Sequence, residues 1–498
     1  METYAKLTAA LKNTALLDAT SGILGWDEQV NLPPGAAELR AQQNAALAEV
    51  IHREFTRPEI AQWLTELEGA ELDPDAACVV RETRREYDRA AKLPADFVRR
   101  KTEAASAGYH AWTEARKNSD FSQFAPMLQK QLDLAREEAG YLGCADNAYD
   151  YWIDRFDPGM TSAVFTDLFN EMRTPLRDLA EAVLAAPRQA DVSIFKGFPV
   201  DQQETFLREV LERIGFDFNH GRLDTAIHPF CGGSSWDTRL TTRFFPDNPL
   251  DSLFSAIHEA GHGMYEQGLR IGNPGCFGLP LSEAIGMGVH ESQSRMWENQ
   301  VARSEAFWTF YEPRYREVFA AQLKDVSSED LRLAINAVQR QPIRVDADEV
   351  TYNLHVILRF EIERALFAGD LDVAGVPAAW NELSQDLLGF TPETFAQGCL
   401  QDVHWSEGFF GYFPSYALGN VLAAQLWNAA NADLPNLQTE FATGDFSALL
   451  NWLRDKVHRH GKRFGTRELI RQSIGEEISP APLIAYLQER YGALYGVG

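Results

Sequence analysis

A five-residue stretch, His258-Glu259-Ala260-Gly261-His262, constrains this chain more than any other. The two histidines are four positions apart. On an α-helix they therefore lie one turn apart on a single face, where both imidazoles can reach one ion, while Glu259 sits about 100° round the helix. This is the HExxH pattern of zinc hydrolases, and it works only if the segment is helical. With eleven histidines in 498 residues, a chance match is expected about 0.01 to 0.02 times in a chain this long, so coincidence is a minor competitor. The serious alternative is a helix carrying two histidines and no metal.

No low-complexity tract or Ser/Gly linker divides the sequence, which permits one large unit over residues 1–498. Its expected parts are a helical lobe at roughly 1–200, a metal-site core at roughly 201–420 and C-terminal helices at roughly 421–498. The 45% hydrophobic and 11% aromatic content can form a sizeable core. No apolar run reaches the roughly 18 residues that cross a bilayer, so a soluble chain with no membrane partner is expected. The start, Met1-Glu-Thr-Tyr-Ala-Lys6, lacks a basic segment followed by an apolar one, which makes cytoplasmic residence the default. The five cysteines (Cys78, Cys144, Cys231, Cys276 and Cys399) are scattered and include no CxxC pair. They read as reduced and mostly buried, neither a disulfide framework nor a metal site. A net charge of -26 leaves no basic surplus to neutralise phosphates, so no nucleic-acid partner is expected. The one basic knot, His458-Arg-His-Gly-Lys-Arg463, reads as a solvated loop.

Apolar residues recur at helical spacing through most of the chain, which makes the fold class mainly α. Asp201 followed by Glu204 resembles a capping box, with Phe206, Leu207, Val210, Leu211 and Ile214 on the buried stripe and Gly215 as the stop. Thr391-Pro392-Glu393 has the form of a helix start, and Ser327 or Ser328 opens a helix carrying Leu331, Ile335 and Val338. The first 110 residues are helical in pattern, broken at Pro33-Pro34-Gly35 and near Leu72-Asp73-Pro74-Asp75. Thr225 to Phe245 departs from this and reads as two strands joined by the Gly-rich turn Cys231-Gly-Gly-Ser-Ser235. In the second strand Asp237, Arg239 and Thr241 share a face, which reads either as a solvated strand face or, from its place just before the metal helix, as one where an extended peptide could pair by strand addition.

A catalytic zinc takes three protein ligands and leaves a fourth position to water. His258 and His262 supply two. The third must come from further along, where a helix opening near Pro280 carries Glu283, Glu291 and Glu298 on roughly one face. Spacing does not choose among them, although the ligand-rich pair His290-Glu291 favours Glu291 modestly. Glycines at 261, 263, 286 and 288 suggest helices that approach closely. Glu259 is placed to act as the base that takes a proton from the metal's water.

Five separated motifs then resemble the M32 metallocarboxypeptidases of the carboxypeptidase Taq type. They are Asp237-Thr-Arg239-Leu-Thr241, His258-Glu-Ala-Gly-His262, His290-Glu291-Ser-Gln293, Ile343-Arg344-Val-Asp-Ala-Asp348-Glu349 and Gly398-Cys-Leu-Gln401-Asp402-Val-His404-Trp405. Trp26-Asp27 and Pro34-Gly35-Ala36 extend the likeness to the whole chain. The resemblance implies Glu291 as the third metal ligand, together with a two-lobed helical homodimer whose deep central groove is lined by a small β-sheet next to the metal helix. It also implies release of single residues from peptide C-termini, with broad side-chain tolerance and poor action near proline. The implied cofactor is Zn2+, with Co2+ as a replacement.

Such an enzyme needs a cation to hold the terminal carboxylate of its peptide substrate, and the planar fork of arginine suits it. Arg239 and Arg344 are the candidates, each with a structural ion pair as the alternative: Arg239 with Asp237, poorly opposed at two apart on a strand, and Arg344 with the acids that follow it. His404 and a tyrosine of the following aromatic run, Tyr412 among them, are candidates for binding substrate and its oxyanion. Asp346, Asp348 or Glu349 are candidate acceptors for a ligand imidazole. A metal-dependent oligopeptidase that cuts internally or releases dipeptides, and a non-catalytic peptide-binding module, are the competing readings.

Overall fold

The computed structural model describes residues 2–497. The chain opens with α1 (Glu2–Val30), α2 (Ala37–Phe55), α3 (Pro58–Glu68), α4 (Pro74–Lys92) and α5 (Ala95–Asn118). Breaks fall at the two expected places and also before Pro58 and Pro94, where proline fixes extended backbone ahead of the next helix. There follow α6 (Ala125–Tyr141), α7 (Ala148–Phe156), α8 (Ser162–Leu184) and α9 (Val200–Ile214), and then the three strands β1 (Gly221–Thr225), β2 (Cys231–Ser234) and β3 (Asp237–Thr242). The central helices are α10 (Pro249–Gly272), α11 (Met287–Arg295), α12 (Glu305–Val318), α13 (Ser328–Ile335), α14 (Tyr352–Ala368), α15 (Val376–Leu388) and α16 (Phe413–Asp433). The last are α17 (Leu437–Ala442), α18 (Ser447–Lys456), α19 (Thr466–Ile474) and α20 (Ala481–Tyr495). The fold is mainly α with one small sheet, as the periodicity implies. Among the described residues no helix is long and apolar enough to cross a membrane.

One continuous core runs from Trp112 to Tyr495 and contains the apolar faces of α10, α11, α14 and α16. A second, smaller core joins α1, α3 and α4 through Leu7, Leu11, Ile60, Leu64 and Val79, and Leu279 and Leu281 from the middle of the chain complete it. The N-terminal helices therefore pack chiefly on each other.

Four local expectations are corrected. Helix α9 starts after Pro199 with no side-chain cap, so Asp201 and Glu204 form no capping box, while the apolar stripe and the left-handed Gly215 stop are as expected. Thr391-Pro392-Glu393 begins a series of turns, not a helix. Its backbone is satisfied from elsewhere: Ser119 Oγ accepts from Ala396 N at 3.3 Å, and Gln401 Nε2 donates to Gln397 O at 2.8 Å. Ser327 does cap α13, but Val338 is buried beyond the helix end. The basic knot is not solvated at its first residue, because Gly268 and Gly272 of α10 leave the space that His458 and Arg459 fill. His458 is 1% exposed, with Nε2 3.0 Å from Gln293 Oε1. Two of the five cysteines, Cys78 and Cys399, are buried; the other three are half-buried, and all five are free thiols.

The sheet differs from the sequence reading as well. Its order is β1-β3-β2, with β1 parallel and β2 antiparallel to β3. The first strand lies earlier than expected, and Ala226 to Phe230 is a connection with Ile227 exposed. The Gly-rich stretch taken for a turn is itself β2, and Cys231 pairs with Leu240. Because β3 is central, both of its edges are already paired, and strand addition on it is blocked.

Arg222 and Arg239 are register partners on β1 and β3, and both guanidiniums stack on Trp26 of α1, at 4.7 and 4.6 Å from its ring. The adjacent Arg40–Asp27 pair, at 2.6 Å, ties α2 to the same end of α1. Each cation–π contact contributes roughly 0.5–1 kcal/mol where exposed and more where desolvated. Trp26→Leu should raise amide hydrogen exchange along Glu2–Val30 while leaving α10 unchanged, read by mass spectrometry.

Candidate metal centre

Helix α10 begins with Pro249 at its first turn, where the missing N–H costs nothing, and Asp251 grips Arg243 through two 2.9 Å bonds. One face lies on the sheet and Phe216, where Gly263 leaves room for the Phe216 ring and Leu240. The other meets α11. A Cβ on Gly261 would lie 2.6 Å from Ser294 Cα and 2.7 Å from Gln293 O, so the two backbones touch only because no side chain intervenes. Helix α11 is pressed from behind by α16, where a Cβ on Gly419 would lie 2.4 Å from Glu291 Cγ. Glycine inside a helix costs about 1 kcal/mol against alanine, and here the close packing offsets it.

This packing brings His258, His262 and Glu291 together, with one potential ligand atom from each within 4.8 Å of the others. Glu291 Oε2 is 3.5 Å from His258 Nε2 and 3.3 Å from His262 Nε2. Of the three glutamates left open by spacing, only Glu291 joins the histidines in this cluster. Glu283 lies before α11 and pairs with Lys462 at 2.7 Å. Glu298 sits in the π-helical turn Met296–Val301 that ends α11, and its Oε2 takes His258 Nδ1 at 2.9 Å. Arg295 braces both acids, donating Nε to Glu291 at 3.0 Å and Nη1 to Glu298 at 3.2 Å. The acceptor role expected of Asp346, Asp348 or Glu349 falls to Glu298: Asp348 instead holds the turn ahead of α14, accepting from Val350 N and Thr351 N at 3.0 Å.

His262 has a longer support. Its Nδ1 meets Nδ1 of His290, whose Nε2 is 2.9 Å from Glu266 Oε1, and Glu266 Oε2 accepts from Ser235 Oγ. Glu266 follows His262 by four residues, so its alignment with both histidines on one α10 stripe was readable from spacing.

Charges at this centre are strongly coupled. Burial opposes it, yet the His258 charge, the adjoining His262 ring and the Arg295 charge hold the Glu291 carboxyl well below the usual range. Burial also lowers His258, but Glu291 and Glu298 outweigh it and raise it to about 9. Burial and His290 take His262 down to about 4, and burial, opposed by His258 and reinforced by Glu291, pushes Glu259 up to about 7. Two imidazole nitrogens and a carboxylate oxygen converging between α10 and α11, with both outer nitrogens already held, form a donor set that fits a divalent cation.

The predicted substrate-binding residues fall in two places. Arg239 donates to Asp237 through Nε at 3.0 Å and Nη2 at 2.7 Å, so the pair two apart on β3 does form. Arg344 is buried and pairs not with the acids that follow it but with Asp402, at 3.1 and 2.9 Å, and with the Tyr352 hydroxyl at 2.9 Å. Asp402 is shared with Arg359, whose Nε donates at 2.7 Å. Two buried guanidiniums thus share one carboxylate. Burial and the Arg344 charge pull Arg359 down to about 10, and burial with the same two arginines drops His404 to about 3. His404 Nε2 is 3.3 Å from the Tyr416 hydroxyl, and its Nδ1 is buried without a partner. Tyr412 stands edge-on to Phe156, 4.8 Å between centroids, and burial with the Glu291 charge pushes its phenol up to about 12. Arg344 connects to the centre through Tyr352, whose ring lies 4.1 Å from the Arg295 guanidinium. Tyr416 belongs to the aromatic run read from the sequence, whereas Arg359 and Tyr352 went unpredicted: a buried cation and a phenol carry no pattern apart from the helix that holds them.

The donor cluster, the carboxylate beside it and the helical frame define a class, the helical metallopeptidases. Within it the sequence match is specific. The family model described as carboxypeptidase Taq (M32) metallopeptidase matches residues 6–491, and the chain belongs to that family. It is 42% identical to thermostable carboxypeptidase 1 of Thermus thermophilus, covering 99% of both chains. It is 37% identical to carboxypeptidase 1 of Bacillus subtilis over 97% of each. Its structure matches the crystal structure of an M32 carboxypeptidase from Deinococcus radiodurans with a TM-score of 0.96, 41% identity and full coverage of both chains. The chain is thus a metallocarboxypeptidase, a peptide hydrolase that uses a divalent metal.

Overpacking at the helix contacts should disturb the donors directly. Gly419→Ala pushes on Glu291 and is expected to destabilise the protein by roughly 1–3 kcal/mol and weaken metal binding. Thermal denaturation and metal titration of the variant measure the two effects.

Proposed function

We propose that this chain is a zinc carboxypeptidase that releases single residues from the C-termini of peptides with broad side-chain tolerance. His258, His262 and Glu291 are its metal ligands and Glu259 its general base. Two imidazoles and one carboxylate are the donor set of catalytic zinc sites that keep a position open, and Co2+ suits the same donors. Zinc bound there supplies a Lewis acid that polarises a carbonyl and lowers the pKa of a water to about 7. Glu259 takes the proton from the attacking water and returns it to the leaving amine, which its buried position beside His258 favours. The Tyr412 phenol, held protonated, donates to the oxyanion of the tetrahedral adduct, and His404 lies against it, 5.4 Å between ring centroids.

The observation that carries exopeptidase action is the pair of buried arginines on one carboxylate. Two guanidiniums on the single Asp402 carboxylate leave one positive charge uncompensated, and His404 and His355 beside them, pushed to about 3 chiefly by burial, add none. A peptide's terminal carboxylate completes that cluster, with Arg344 as the arm nearer the metal ligands. Arg239, stacked on Trp26 and chelated by Asp237, serves better as a brace for the groove wall. Family resemblance extends the proposal to a cytoplasmic homodimer.

Glu259→Gln should keep stoichiometric metal and lose about 10²–10⁴-fold in kcat, the range for removing a positioned base; near-normal hydrolysis by a metal-loaded variant rejects the mechanism. Arg344→Ala should reduce kcat/KM on peptides with free C-termini by about 10²-fold, equivalent to roughly 2.7 kcal/mol. The same peptides with amidated ends should be poor substrates of the unaltered enzyme, and efficient cleavage of them, followed by mass spectrometry, would favour an oligopeptidase.

A further inference from the structure

His258 reaches a carboxylate directly, but His262 reaches one only through another ring. The path starts at Ser235, buried in the turn between β2 and β3, whose hydroxyl donates to Glu266 Oε2 and lies 3.3 Å from the Ser282 carbonyl. It crosses from α10 to α11 by the 2.9 Å contact of Glu266 Oε1 with His290 Nε2, and returns to α10 at the Nδ1···Nδ1 contact of His290 with His262. The two rings lie 4.5 Å apart at 36°, and Tyr265 stands edge-on to His290 at 5.2 Å, so the middle ring is held from both sides.

With both rings neutral, as ligation by His262 requires, this geometry places the protons. A carboxylate can only accept, so His290 carries its proton on Nε2. In the neutral ring Nδ1 is then bare and can only accept, and a contact between two ring nitrogens needs one proton between them. That proton must therefore belong to His262 Nδ1. His262 is left with a bare Nε2, aimed at the space it shares with Glu291 Oε2, 3.3 Å away. In the opposite tautomer Nε2 would carry a hydrogen and could not ligate a metal.

We propose that His290 and Glu266 are positioning residues that set the tautomer and ring orientation of His262, so that its Nε2 is presented bare to the metal. This rests on the assignment of His262 as a ligand. An imidazole in the middle passes the polarity of the Glu266 charge across the α10–α11 interface, where a carboxylate on α10 alone could not also pin α11. The site therefore holds its two histidines by different means: a direct carboxylate for His258 and a carboxylate–imidazole relay for His262.

The test is metal affinity of the full-length protein, measured with Zn2+ by chelator competition and with Co2+ by its visible absorption. His290→Ala and Glu266→Ala should each weaken binding by about 10- to 100-fold and shift the Co2+ bands. Because the two act in series, the double variant should be no weaker than the worse single one, whereas Glu298→Ala, acting on His258, should add to either. His290→Asn, whose carbonyl oxygen stands where Nδ1 stood, should recover part of the affinity lost in His290→Ala. Unchanged affinity and an unchanged Co2+ spectrum in His290→Ala would overturn the proposal, as would an Asn variant no better than Ala. Melting of the metal-free forms separates a general loss of packing, which would lower stability without moving the Co2+ bands of the metal that still binds; that result also counts against it. If the unaltered protein bound no metal, the ligand assignment itself would fail, and this would be seen before any variant was made.

Discussion

Everything at the centre depends on the contact of two helix backbones. Helix α10 carries both histidines and α11 carries Glu291, and they approach closely enough to share an ion because Gly261 offers no side chain against Ser294 and Gln293. The pressure from behind is equally specific, since α16 presents Gly419 to the stem of Glu291. Three helices thus meet at van der Waals distance around one carboxylate. A donor triad needs placement to within a fraction of an ångström, and in this fold backbone contact supplies it. The small sheet adds the remaining wall by packing Leu240 against Gly263.

Around that contact the polar groups form a nearly closed network. Glu298 and Arg295 hold one side, and Glu266, His290 and Ser235 hold the other. Taking so many ionisable groups out of water is expensive, and each is retained by a partner that would be stranded without it. The π-helical turn after α11 belongs to this network, because it carries Glu298, whose carboxylate takes His258 Nδ1. The result is a rigid cradle whose inner nitrogens face an acidic oxygen.

The sequence disclosed the parts of this arrangement that repeat at short range. His258 and His262 share a face because four residues make about a turn, and the mainly helical class follows from the same period. Placing Glu291 against its rivals depended on family resemblance, since Glu283, Glu291 and Glu298 are indistinguishable by spacing alone. Strand β2 was hidden because Cys-Gly-Gly-Ser has turn chemistry and no β-branched residue; the partner strand β3 and the neighbouring α1, against which Gly22 approaches Gly233, make it a strand. Thr391-Pro392-Glu393 shows the converse, a sound local start signal overruled where the distant Ser119 and the nearby Gln401 take up the backbone groups of Ala396 and Gln397. The pairing of Arg344 with Asp402 spans 58 residues, and no local pattern reports such a distance.

The two arginines on Asp402 have a consequence for the enzyme between turnovers. Glu363, which feels the Arg359 charge, is pushed up to about 7 by burial and so is at most partly ionised near neutrality. Two buried guanidiniums on one carboxylate leave this part of the interior with an excess of positive charge. If Arg344 holds the terminal carboxylate as proposed, a released amino acid keeps that same group, and its departure has to break the ion pairing that arrival of substrate made. An anchor strong enough to define the end of a chain therefore also sets a floor under the time the product stays.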